Sequence, residues 1–337
     1  MGFLGAKWTP LRLPLHRRLE TLAALALSLL LICSGFTCVL LFAYILLCTR
    51  YYPLSLGYAA WIYWDRKACD RGGHWNDWVR SWTLWKYLRN YFPIQLVKTC
   101  DLPADRNYLF GYHPHGVMAV GAVCNFATDA TNFRHLFPGI RTHLATLRFQ
   151  FCFPFHRELY LAAGVCCASK EWLDWTLGSK PPGKAAVIVL GGNAEMLNAQ
   201  PGSYKLYLNN RKGFVRFALK YGAPLVPVFS FGENELFVQA KVPVGSWLGR
   251  ILALFKLVLG YTPPVFYGRG VFQYSWGWVP HRKRIVTWGS PWRFPRSSAP
   301  VDEQVDRVHR QYIDALTQLF NDHKDKYAAA GSKLVIE

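Results

Sequence analysis

The chain has 337 residues, 52% of them apolar and 16% aromatic, and carries 39 Lys plus Arg against 20 Asp plus Glu, a formal charge of +19. Hydrophobicity at this level excludes a disordered tail, which stays unfolded only when apolar residues are scarce, and the length suits roughly two domain-sized units or one large unit with an appendage. Aromatic surface combined with a basic excess fits an apolar, anionic partner such as a membrane, with nucleic acid as the competing candidate.

Residues 21–48 (TLAALALSLLLICSGFTCVLLFAYILLC) form a run of 28 residues without a charge, flanked by Arg17 and Arg18 on one side and Arg50 on the other. This is longer than the about 7–15 apolar residues of a cleavable signal. As a straight helix it would span about 42 Å at 1.5 Å per residue, more than the roughly 30 Å hydrocarbon core but short for two crossings. A second apolar run, 51–64, follows after Arg50, and Ser34-Gly35 offers a break inside the first. Residues 21–64 therefore read as a membrane segment, a helical hairpin that dips into the bilayer and returns to the cytosolic side, with one tilted span as the alternative. A buried soluble helix pair fits less well, because no polar face interrupts the run. Residues 1–20 are then a basic cytosolic N-terminus, and 65–337 a folded domain on that same side. The nine Cys are odd in number and lack C-x-x-C spacing, which argues against a disulfide framework or zinc ribbon and suits a reducing environment.

After Pro103, short apolar runs alternate with helical patterns. Residues 107–112 (NYLFGY), 185–190 (AAVIVL), 225–231 (LVPVFSF) and 285–288 (IVTW) read as strands. The second is so uniformly apolar that both its faces should be covered. Residues 213–221 place Phe214, Phe217, Ala218 and Tyr221 on one helical face and stop at Gly222. Val301, Val305, Val308, Tyr312, Leu316 and Leu319 keep the spacing of an amphipathic helix of about six turns. Strands alternating with helices predict an α/β domain, a mostly parallel sheet flanked by helices.

Gly111-Tyr112-His113-Pro114-His115-Gly116 stands where the first strand ends and a helical stretch, 117–127, begins. Pro114 holds His113 extended, and Gly116 permits a sharp turn. His115 is thereby placed at the carboxyl end of a strand, where open α/β sheets bind ligands. A helix N-terminus there disfavours the imidazolium, keeping the ring available as a base, and its free N–H groups can hold an anion. The competing readings are a pair of structural histidines in a tight turn, or two metal ligands completed by His143 or His156. Gly191-Gly192-Asn193-Ala194-Glu195 follows the strongest strand, so Glu195 should project from the same rim and could orient the imidazole; a helix-start glutamate is the plainer alternative. Arg211-Lys212-Gly213 opens a helix and can bind phosphate, or can be a solvated turn. His281-Arg282-Lys283-Arg284 suits anionic headgroups, with a nucleic-acid patch made less compatible by the apolar segment.

The stretch 178–185 (GSKPPGKA) imitates a phosphate-cradling loop, but Ala185 replaces the magnesium-binding hydroxyl, the segment precedes its strand, and Pro181 and Pro182 remove donors. Nucleotide hydrolysis is therefore excluded. No G-x-S-x-G elbow offers a serine nucleophile either.

These residues resemble the diacylglycerol acyltransferase type 2 family, which includes monoacylglycerol and wax-alcohol acyltransferases. The likeness runs from about Tyr91 to the C-terminus. It rests on Tyr91-Phe92-Pro93, FGYHPHGVMAVGAVCNFAT at 110–128, Phe137-Pro138-Gly139, Gly191 to Glu195, NRKGFVRFALKYGAPLVPVFSFGENELF at 210–237, and Gly268-Arg269-Gly270. It implies an endoplasmic-reticulum membrane enzyme with a glycerolipid-acyltransferase-like fold, reaching lipid droplets, that transfers a fatty acyl group from acyl-CoA to a lipid hydroxyl. Of the two histidines it favours His115 as base, with His113 as a shaping or secondary contact. The H-x-x-x-x-D block of the wider glycerolipid acyltransferases is missing, since Val120 and Met118 stand at the spacing of its Asp, which makes Glu195 the candidate orienter. Cys166-Cys167-Ala168-Ser169-Lys170 also departs from relatives, which commonly carry a Pro and an Arg there.

The expected reaction esterifies diacylglycerol to triacylglycerol by direct attack on the thioester. Acyl-CoA is a co-substrate, and neither a cofactor nor a metal is called for. Gly116, Gly191, Gly192, Arg211 and Lys212 are the expected substrate-binding residues, Arg211 and Lys212 on the CoA phosphates. Monoacylglycerol or a fatty alcohol is the alternative acceptor, a non-enzymatic lipid-binding protein and a metal-dependent hydrolase the rivals of other classes. Membrane lipids are expected partners, nucleic acid is not, and oligomerisation is open.

Overall fold

Seven short runs rich in β-branched and aromatic residues assemble into one sheet in the computed structural model, which describes residues 8, 12–243, 245–289 and 300–337. They are Gln95–Lys98 (β1), Tyr108–His113 (β2), Arg141–Thr146 (β3), Val165–Cys167 (β4), Lys184–Val189 (β5), Leu225–Phe231 (β6) and Val286–Gly289 (β7), ordered β1-β7-β6-β2-β5-β3-β4. The five strands from β6 to β4 are parallel, whereas β7 is antiparallel to β6 and carries β1 parallel to itself at the edge. The predicted mostly parallel sheet is thus present, with a reversed pair at one side. Every residue of β2 and β6 is buried, as strands covered on both faces require.

Alternation along β2 divides the core. Tyr108, Phe110 and Tyr112 pack with Phe126 and Phe133 on one face, while Leu109 joins Phe214, Phe229, Tyr312 and Phe320 on the other. Gly111 is a glycine because the Tyr312 hydroxyl takes the space: a Cβ there would lie 2.1 Å from Oη. Tyr312 belongs to the C-terminal helix Asp302–Tyr327, which follows the predicted spacing and buries Val305, Val308, Leu316 and Leu319.

The N-terminal part forms three helices in succession: Leu15–Ile32 (α1), Ser34–Cys48 (α2) and Tyr52–Trp64 (α3). No single helix among the described residues is long and apolar enough to cross a membrane; α1 and α2, bent by 68° at the break between them, have the length and composition only together. The break falls at Cys33, directly before the predicted Ser34-Gly35, which open α2. Ser34 Oγ donates back to the Leu30 carbonyl at 2.5 Å, a bond that bends helices, and Gly35 lies against Phe153, whose ring a Cβ would meet at 2.7 Å.

The predicted hairpin over 21–64 is divided differently. α1 lies on the domain, with Ala23, Ala24 and Leu27 in one cluster with Trp85, Leu88 and Tyr91 of the helix Thr83–Tyr91. Its polar side chains are held as well: Arg269 donates to Thr21 Oγ1 at 3.0 Å and to Tyr91 Oη at 2.8 Å, and Arg282 pairs with Glu20. Tyr91 Oη in turn donates to the Pro280 carbonyl at 2.5 Å. The hairpin is α2 and α3, which pack on each other across Thr49, Arg50 and Tyr51. α2 buries only Gly35 and α3 only Ser55, while Leu40, Leu47, Leu54 and Trp64 are exposed.

Candidate active site

β2 and β5 are parallel neighbours, so the loops that follow them emerge on one rim. The chain leaves β2 through a cis His113–Pro114 bond and presents His115, while β5 runs into the helix Gly192–Leu197, which carries Glu195. The two predicted residues meet, though not as expected. Glu195 Oε1 accepts the backbone N–H of His115 at 2.5 Å, and Oε2 accepts that of Tyr207 at 3.3 Å. The carboxylate fixes the loop, not the ring. Gly191 leaves it room, since a Cβ there would lie 2.0 Å from Oε2. Burial pushes the Glu195 carboxyl up to about 7, against the two N–H donors and the Arg211 charge, which pull it down.

The ring of His115 has its own partner, the Gly116 carbonyl, 3.0 Å from Nδ1. A carbonyl only accepts, so in the neutral ring the proton sits on Nδ1 and the lone pair on Nε2. Burial lowers the pKa of this imidazole, so it is neutral at pH 7 with Nε2 basic. His113 is different. It is fully buried, its Nε2 lies 3.1 Å from Tyr312 Oη, and that hydroxyl donates to the Gly111 carbonyl at 3.2 Å. Nε2 must therefore carry the proton, and Nδ1 is left buried without a partner. Desolvation holds the His113 pKa at about 3.

The helix expected over 117–127 is shorter and irregular, an α-turn at Val120–Ala122 followed by a π-turn at Val123–Ala127. Its first donors are already taken. Glu233 Oε1 accepts from Val120 N–H at 2.6 Å, and Oε2 accepts from Gly121 N–H at 2.9 Å and from the Tyr112 hydroxyl at 2.8 Å. The N–H groups expected to bind an anion are thus occupied by a carboxylate of the chain itself, which burial raises to about 7. Gly116, at φ +59°, closes over this group: a Cβ there would lie 2.7 Å from Glu233 Cγ. Glu233 is an organising residue to which sequence reading gives no role in the site. The 210–237 block contains it, but nothing local marks a carboxylate that caps a turn 112 residues away.

His115 lines a mostly apolar cavity of about 520 Å³. Leu27, Leu30 and Leu31 of α1, Gly35 and Phe36 of α2, and Phe255 of the helix Trp247–Leu259 share the same wall, so the cavity joins the rim to the N-terminal helices. That last helix, unforeseen in the sequence, exposes Trp247, Leu254, Leu257 and Val258. Gly192 and Arg211 also border the cavity, and an Arg211 Nη lies 3.7 Å from where a Gly192 Cβ would be. Lys212 does not join them, because its ammonium pairs with Asp306 at 2.6 Å.

The metal reading finds no set of ligands: among the described residues no three His, Cys, Asp or Glu side chains are gathered for an ion. His143 is packed between Trp75 and Trp175 with Cys166 Sγ 3.9 Å from Nδ1, and His156 sits at the α1–α2 break. The basic cluster is partly spent on intramolecular partners, Arg282 on Glu20 and, at the surface, Arg284 on Gln95 at 2.6 Å.

A family model described as diacylglycerol acyltransferase matches residues 44–337. The chain is 41% identical over 334 residues to bovine 2-acylglycerol O-acyltransferase 1, covering 99% of both chains. It is 42% identical over 318 residues to human Diacylglycerol O-acyltransferase 2, covering 94% of this chain and 82% of that protein. No solved structure matches it. With six-sevenths of its length under the family model and relatives aligned nearly end to end, the chain belongs to the diacylglycerol acyltransferase family and is an O-acyltransferase.

Proposed function

We propose that the protein transfers a fatty acyl group from acyl-CoA to the free hydroxyl of diacylglycerol, making triacylglycerol, with His115 as general base. The observation that carries this reading is the placement of a neutral imidazole, its lone pair on Nε2, on the wall of an apolar cavity that reaches the N-terminal helices. A lipid hydroxyl is a weak nucleophile, so Nε2 takes its proton as the oxygen attacks the thioester carbon, a contribution of about 10²–10⁴-fold. The tetrahedral centre then collapses, the C–S bond breaks, and the CoA thiolate leaves with the proton returned from the imidazolium. No acyl-enzyme is needed.

Glu195 and Gly116 are positioning residues: one holds the His115 backbone, the other sets its tautomer. His113, sealed beneath them, shapes the loop. Arg211, with Gly192 beside it, is the group for the CoA phosphates. Acyl-CoA is consumed as substrate, and the chemistry calls for no cofactor. The exposed apolar faces of α2, α3 and Trp247–Leu259 support attachment to a bilayer, which delivers an acceptor that does not dissolve in water. The cytosolic face of the endoplasmic reticulum, with access to lipid droplets, is the matching location. Monoacylglycerol is the second acceptor reading, favoured by the near end-to-end alignment, at 41% identity, to a 2-acylglycerol O-acyltransferase. Purified protein in micelles should esterify labelled diacylglycerol with acyl-CoA. His115→Ala should lower kcat by about 10²–10⁴-fold with the melting temperature unchanged, and full activity in that variant would refute the assignment.

A further inference from the structure

Where the helix His156–Ala162 meets the α1–α2 break, a histidine joins the mostly apolar cavity wall beside Tyr160 and Gln150. His156 lines the cavity, packed between the rings of Phe153 and Tyr160 and only 3% exposed. Its Nδ1 lies 2.5 Å from Ser34 Oγ, which is also 2.5 Å from the Leu30 carbonyl. A serine hydroxyl has one proton and a carbonyl none, so that proton goes to Leu30 and the bond to the ring runs from Nδ1–H to Oγ. The tautomer is therefore fixed with the lone pair on Nε2. That atom is buried without a hydrogen-bond partner. Burial holds the pKa at about 4, so the ring is neutral at pH 7 and Nε2 is a pure acceptor.

A buried acceptor left empty costs free energy that a donor brought by a ligand would recover. The rings of Phe153 and Tyr160 pack on it and the cavity is mostly apolar, so the donor must be carried by a largely apolar molecule. The lipid acceptor has hydroxyls to give. Acyl-CoA also has amide N–H groups, but its phosphates call for a cation, and the one that lines this cavity among the described residues, Arg211, lies against Gly192 on the rim, whereas His156 is anchored to the helix break. We propose that His156 Nε2 accepts a hydrogen bond from a second free hydroxyl of the acceptor, the one not being acylated, and so selects monoacylglycerols alongside diacylglycerol. Ser34 is the positioning residue that fixes the ring. The inference rests on the acylglycerol reading above and gives the site a specificity element that acts apart from His115.

Binding, not turnover, tests it, so that an inactive preparation still gives an answer. The full chain in micelles is titrated with a non-ester pair, a 2-monoalkylglycerol and a 1,2-dialkylglycerol, following displacement of a fluorescent lipid. His156→Leu, which keeps an apolar side chain in the slot, should lower the preference for the monoalkyl ligand about 10-fold, the value of one hydrogen bond of roughly 1.4 kcal/mol. His156→Gln, whose amide oxygen still accepts, should restore most of it. Ser34→Ala, which frees the tautomer while leaving the ring in place, should give an intermediate loss. An unchanged preference in His156→Leu overturns the proposal, as does an equal loss for both ligands, or an effect confined to acyl-CoA affinity.

Discussion

At the sheet end of the cavity, polar groups are tied down by buried carboxylates: Glu195 takes two backbone N–H groups, and Glu233 takes two more and a tyrosine hydroxyl. At the helix end, the wall is α1 leucines and the α2–α3 hairpin beyond is exposed and apolar, with His156, held by Ser34, among its few polar groups. The difference follows from what each end must hold. A reacting imidazole has to stay in register with an attacking oxygen, and misplacement by an ångström is costly, so its loop is over-determined by hydrogen bonds. A lipid entrance has to admit long chains of varied shape, which apolar contacts without direction allow.

His115→Ala carries the largest expected effect on turnover. The largest on folding belongs to Glu233→Ala, which leaves the Val120 and Gly121 N–H groups and the Tyr112 hydroxyl buried and unpaired. At roughly 1–3 kcal/mol for each orphaned donor, the loss approaches the roughly 5–15 kcal/mol that holds a whole domain, so little folded protein should be recovered. Glu195→Ala orphans two donors and should fold, with a lowered melting temperature and a kcat loss exceeding its KM change. If Glu233→Ala folds as well as Glu195→Ala, the sheet end is not held as described.

How much of this was legible in the residues depends on the range of the interaction. β2, β5, β6 and β7 were found within a residue because runs such as LVPVFSF carry their own signal, and the Ser34-Gly35 break and the helix at 213–221 did likewise. β1, β3 and β4 were missed: Arg141–Thr146 carries Arg and His on a strand, and Val165–Cys167 is three residues long. The meeting of Glu195 with His115 followed from topology, since parallel neighbours end on one rim. Which atoms meet did not, because backbone N–H groups have no sequence signature. Nor did the pinning of α1, which depends on Arg269 and Arg282, about 250 residues from Thr21 and Glu20 along the chain.

Arg211→Ala tests the rim where the cavity meets solvent. Charge-assisted hydrogen bonds contribute about 1.5–3 kcal/mol, so KM for acyl-CoA should rise by roughly 10–100-fold while KM for the lipid acceptor stays near its original value. A rise in both would make Arg211 a structural residue.

The pH dependence of stability gives a smaller but signed effect. Burial raises the Glu195 and Glu233 carboxyls from 4.5 to about 7. Between those values the folded state binds more protons than the unfolded, so these groups favour folding at low pH and lose that contribution as pH rises through 7. The buried histidines act in the opposite sense. His113 and His143 at about 3 and His156 at about 4 add stability as pH rises toward 6.5, and no more above it. Above pH 6.5 the carboxylate effect stands alone, so the melting temperature should fall from pH 6.5 to 8. Glu195→Gln should flatten that slope.

Lys212→Ala should produce the smallest change, and its smallness is informative beside Arg211. The two are adjacent and both cationic, and sequence alone assigns them one role. In the fold, Arg211 borders the cavity while Lys212 Nζ is 2.6 Å from Asp306 on the C-terminal helix, with both partners of that pair more than 40% exposed. Solvent screens such a pair, and holding two long side chains in one geometry offsets what attraction remains. The melting temperature and the KM for acyl-CoA should therefore both stay within error of the parent. A KM shift comparable to that of Arg211→Ala would mean that the CoA phosphates reach past the rim to the far side of the 213–221 helix start, and would move the donor site outward along the surface.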